Sequence, residues 1–96
     1  MSTIATKSIT EQNTFTDPVQ ITGWFNVSIS GTFVATVVVQ RSPDNVNWYD
    51  VNSFTAPFEG TGMDPEVMWY RVGVKTGGFT SGTIVVRLGQ DGSVGF

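Results

Sequence analysis

A third of this chain is Val, Ile or Thr, while leucine occurs once, at Leu88. Branching at Cβ restricts χ1, which suits a pleated strand and weakens a helix. The strong helix formers that could offset this are scarce, and no window repeats apolar residues at helical spacing. Gly 11 and Pro 4 punctuate the 96 residues at short intervals. Short strands with frequent turn signals predict an all-β fold, an antiparallel β-sandwich of jelly-roll or Ig-like topology with about seven strands. A chain this long makes one domain.

Period-two patterns place the strands. Phe25, Val27 and Ile29 alternate with Asn26, Ser28 and Ser30, and Ser30-Gly31 predicts a turn. Residues 33–41 are apolar on both faces until Gln40-Arg41, which predicts a central strand covered on both sides or an outer face packed on a partner. Residues 48–54 form a shorter strand. Met68, Tyr70, Val72 and Val74 then alternate with Trp69, Arg71, Gly73 and Lys75, ahead of a turn at Gly77-Gly78. Ile84, Val86 and Leu88 alternate with Thr83, Val85 and Arg87. Residues 4–9 and 19–22 are weaker strands. Residues 56–66, with two prolines, two glycines and three acids, predict a long exposed loop. The organisation expected is an extended N-terminal arm over 1–17, a β-domain over 18–90 and a flexible Gly-rich tail over 91–96.

Composition narrows the chemistry. With no cysteine there are no disulfides and no thiolate sites, and with no histidine the commonest general base and metal ligand are missing. A net charge of -3 from five basic and eight acidic residues predicts no nucleic-acid partner. No apolar run is long enough to span a bilayer and the N-terminus has no apolar leader, so neither membrane association nor export is expected. Asp44, Asn47 and Asp50 are too few oxygens for calcium, and no acid sits in an evidently apolar surround. The expectation is a protein that is no enzyme and has no cofactor, no metal and no catalytic residue.

Two local features stand out. In Gln40-Arg41-Ser42-Pro43-Asp44-Asn45-Val46-Asn47-Trp48, Asp44 is placed to accept hydrogen bonds from turn amides. The string resembles the aspartate-box hairpin of sialidase-like proteins, without its turn glycine and with the tryptophan one residue early. The aromatics, among them Trp24, Trp48, Tyr49, Trp69 and Tyr70, offer either a core or an exposed platform. Alternation turns Trp69 and Arg71 outward, and these are residue types enriched at binding hot spots.

Gly31-Thr32-Phe33, Thr36-Val37-Val38-Val39-Gln40-Arg41-Ser42, Asp44, Trp48, Trp69-Tyr70-Arg71-Val72-Gly73-Val74 and Thr80-Ser81-Gly82-Thr83-Ile84-Val85-Val86-Arg87-Leu88 together resemble small β-sandwich structural proteins of tailed-bacteriophage virions. The resemblance covers roughly residues 24–90. It implies a capsid decoration (cement) or head-fibre protein that binds the major capsid protein or another virion protein, forms a homotrimer, and is found in the virion after assembly in the host cytoplasm. The sparse apolar residues of the arm, suited to strand addition, and the outward pair on the β-domain predict a protein interface of Ile4, Ile9 and Phe15 with Trp69 and Arg71. The alternative is a carbohydrate-binding β-sandwich module or a tail-associated adsorption protein.

Overall fold

Inward-facing Val, Ile and Leu at every second position organise the structure. A computed structural model describes residues 2–91, all-β, with no helix among them. The strands are β1 (Ser2–Ile9), β2 (Thr14–Phe15), β3 (Val19–Ala35), β4 (Val37–Ser42), β5 (Tyr49–Phe54), β6 (Phe58–Val74) and β7 (Phe79–Asp91). Every pairing is antiparallel. The expected all-β antiparallel class and strand number therefore hold. The strands hydrogen-bond as one continuous sheet in the order β1-β7-β3-β6-β4-β5, with β2 also on β6.

The sheet is curled. β1 and β4 are four positions apart in that order, which would separate them by roughly 19 Å in a flat sheet. Yet Ile9 of β1 and Val37 and Val39 of β4 belong to one buried cluster with Ile21, Phe25, Val27, Ile29, Tyr70, Val72, Val74, Ile84, Val86 and Leu88. The long strands make this possible. β3 pairs with β6 along its first part and with β7 along its second, while β6 passes from β3 to β4. Burying this apolar surface is the main favourable term in folding such a chain.

Four local expectations need correction. Residues 56–66 are no long loop: only 56 and 57 lie in the connection, and Phe58–Val74 is one of the two longest strands. Its glycines are packing sites: a Cβ on Gly60 would lie 2.4 Å from the Phe58 ring, and one on Gly62 would lie 2.7 Å from the Phe25 ring. Pro65, which has no N–H to donate, sits where the β3–β6 register slips between Ile21 and Gly23. Ser30-Gly31 is no turn either. Gly31 (φ 106°) stays in β3 opposite Ile84. Residues 33–41 are divided between β3 and β4 at Thr36, whose N–H bonds Gly78 O at 2.8 Å. Finally, residues 2–9 of the expected arm pair within the chain, along β7 from Ser2↔Asp91 to Ile9↔Ile84. Of the expected tail, Asp91 ends β7 and residues 92–96 lie outside the described residues. The turn at Gly77-Gly78 is present, closed by a Gly78 N–H bond to Lys75 O at 3.0 Å.

Candidate functional site

Three of the five expected interface residues share the outer face of the β2-β6-β4-β5 half. Along β6, Tyr70, Val72 and Val74 turn into the core, so Trp69 and Arg71 turn out. Phe15 comes from β2 on one flank of β6, and Trp48 from the segment leading into β5 on the other. The Arg71 guanidinium carbon lies 4.2 Å from the Phe15 ring centroid and 4.4 Å from that of Trp48. Both distances are within cation–π range. Trp69 is half-buried on the same face.

A polar chain runs sideways from this stack. Arg71 Nε donates to Gln40 Oε1 at 2.8 Å, Gln40 Nε2 donates to Asp50 Oδ1 at 2.8 Å, and Lys75 Nζ donates to Asp50 Oδ2 at 2.7 Å. Gln40 is 5% exposed, so its two bonds keep a buried amide satisfied. Lys75, then Gln40, hold the Asp50 carboxyl below its ordinary range. Desolvation lowers the Arg71 pKa.

The inner side of the same strands carries a buried carboxylate. Asp64 is 3% exposed and takes Arg41 Nε at 2.7 Å and Nη2 at 3.3 Å, the Tyr70 hydroxyl at 2.8 Å and Glu66 N–H at 3.1 Å. The bond from Arg41 is the largest influence holding its pKa at about 2, against a desolvation effect of opposite sign. Burial, then Asp64, pushes the Tyr70 hydroxyl up to about 12. This cluster floors a cavity of about 420 Å³ walled by Tyr49, Val51, Met63 and Pro65. With its lone pairs occupied and its pKa so low, Asp64 is a weak proton acceptor at neutral pH. It ties β4 to β6 and satisfies the N–H freed at the register slip.

Asp44 closes its turn as its position in the sequence predicts. Oδ1 accepts from Val46 N–H at 2.9 Å, Asn47 N–H at 2.8 Å and the Ser42 hydroxyl at 3.0 Å, and Oδ2 accepts from Asn47 Nδ2 at 2.8 Å. Asp50 is instead engaged with Gln40 and Lys75. Among the described residues, no group of three or more His, Cys, Asp or Glu side chains could hold a metal ion.

The other expected interface residues lie elsewhere. Ile9 is fully buried in the core, because the β1–β7 register sets it opposite Ile84. An interface role for its side chain is thereby corrected to a core role. Ile4 is half exposed on β1, opposite Gly89. The expected set omitted Trp48, which completes the Arg71 stack, and Trp24, which is 70% exposed on the outer face of β3 opposite Met63. Alternation with buried Phe25 was the available signal for Trp24. Beside it, Arg87 Nη1 donates to Asn26 Oδ1 at 2.8 Å and the Ser28 hydroxyl donates to Glu59 Oε1 at 2.7 Å.

No protein-family model, curated protein or solved structure matches this chain.

Proposed function

We propose that this chain is a non-enzymatic virion structural protein of the capsid-decoration kind, docking on the major capsid protein through the Phe15–Arg71–Trp48 face. The observation that carries the reading is Arg71 itself: a partly desolvated guanidinium between two aromatic rings, with no carboxylate in salt-bridge contact among the described residues. Burying part of a cation without a counter-charge is unfavourable in the free chain, and a partner that supplies one relieves it. Trp and Arg are the types that carry most binding energy at protein interfaces. The resemblance of residues 24–90 to small virion β-proteins is what favours a capsid as the partner, a homotrimer as the assembled form and the virion as the location.

The test is sedimentation of the full chain with particles that lack it. The wild-type chain pellets with the particles and Trp48→Ala binds at least about tenfold more weakly, as expected for a hot-spot aromatic. A wild-type chain that stays in the supernatant defeats the reading. A second reading, a carbohydrate-binding surface, is favoured by Trp24, whose exposed indole neighbours the Asn26–Arg87 and Ser28–Glu59 pairs. A glycan array on the wild-type chain and Trp24→Ala separates the two, because Trp24 is on the other half of the sheet from Arg71.

A further inference from the structure

We propose that the free edge of the Arg71 guanidinium is the docking point for a carboxylate side chain on an acidic segment of a protein partner. The inference rests on the docking reading above and names the partner's chemistry. Gln40 Oε1 holds Nε, which leaves the two terminal nitrogens as the outward pair. Neither has a hydrogen-bond partner among the described residues. Arg71 is not an exposed residue, yet no buried side-chain nitrogen or oxygen there lacks a partner. Both terminal nitrogens therefore reach solvent.

The other cations are placed differently. Arg41 is neutralised by Asp64 and Lys75 by Asp50. Arg87 is bonded to Asn26 on the other half of the sheet, and Lys7 is on β1, opposite Val86. Arg71 alone among these is flanked by two rings. The rings and Gln40 fix the guanidinium in advance, so little side-chain freedom remains to be lost on binding. Asp50, the acid linked to Arg71 through Gln40, is held by Lys75 and is not released to serve as an internal counter-ion. Two parallel N–H donors match the two oxygens of a carboxylate.

The experiment uses the full chain, labelled with 15N and titrated at low salt with an N-acetyl hexaglutamate peptide, with inorganic phosphate in a parallel arm. The Arg71 Nε–H and Trp48 indole N–H signals shift saturably with the peptide, and at least about tenfold more weakly at high salt. Arg71→Gln abolishes the Trp48 response; Arg71→Lys, which keeps the charge and loses the fork, weakens it and serves as the readout if Arg71→Gln does not fold. No shift with the peptide, shifts with phosphate alone, or an unchanged Trp48 response in both variants overturns the inference. Particle sedimentation separates this from the docking reading. Loss of binding in both Trp48→Ala and Arg71→Gln supports both. Loss in Trp48→Ala with full binding by Arg71→Gln sinks the carboxylate and keeps the face. Full binding by both variants sinks the face as well.

Discussion

Asp44 and Asp64 are both ionised well below the ordinary carboxylate range, and they reach that state in opposite ways. Asp44 is exposed and draws every partner from Ser42, Val46 and Asn47, with the Asn47 and Val46 amides the leading causes. Asp64 is buried and draws its main partner, Arg41, from another strand. The first carboxylate shapes a stretch of six residues, from Ser42 to Asn47. The second fixes how β4 and β6 sit against each other. Strength of hydrogen bonding alone therefore says little about structural reach; what matters is how far along the chain the partners lie.

The sharpest way to break this comparison is to remove each carboxylate. Asp64→Ala leaves Arg41, the Tyr70 hydroxyl and the Glu66 N–H without their acceptor and should destabilise the fold by about 3 kcal/mol in urea unfolding. A loss below about 1 kcal/mol would show that Asp64 is not the anchor between β4 and β6. Acid titration is next in size. Asp64 has a folded pKa of about 2 against a reference value of 3.8, so its contribution is fully present above about pH 4 and is lost as pH falls through about 2. That contribution is about 2 kcal/mol. Stability measured between these limits should fall less steeply in Asp64→Asn than in wild type, and equal slopes would refute the assignment. Tyr70→Phe removes one of the four donors to Asp64 and should cost about 1 kcal/mol, read by the same unfolding curve. Asp44→Ala should have the smallest effect on melting temperature. Its signature is local: faster amide exchange at Val46 and Asn47, with β6 amides unchanged. Faster exchange along β6 would mean that the turn is coupled to the sheet.

The same contrast explains what could be read in advance. Asp44 was legible because its partners lie two and three residues away, within the span of turn chemistry. Asp64 was not, since Arg41 is distant in sequence and Gly60, Gly62 and Pro65 mark a loop under ordinary rules. Those rules fail where glycine makes room for an aromatic ring and proline falls at a register slip; the Phe25 ring over Gly62 and the slip itself are set by β3 and invisible in residues 56–66 alone. The strand class and the alternation of β6 were legible, and with them the outward turn of Trp69 and Arg71. That Phe15 and Trp48 converge on Arg71 was not, because β2 pairs with β6 on one flank and β4, which carries the hairpin to β5, pairs with it on the other, both over long sequence separations. The core position of Ile9 was hidden for a related reason. A sparse apolar pattern in residues 1–17 hides a register that sets one isoleucine in the core.

The pairing of Ser2 with Asp91 has a mechanical consequence. Residues 2 and 91 leave the sheet side by side, at one end of the β1–β7 ladder. Tension applied across these two points pulls perpendicular to the strands and opens the ladder rung by rung, as a zipper opens. Shear along the ladder would load all of its rungs together. A chain tethered by these neighbouring ends is therefore mechanically weak, and the same ladder loaded along its strands is stiffer.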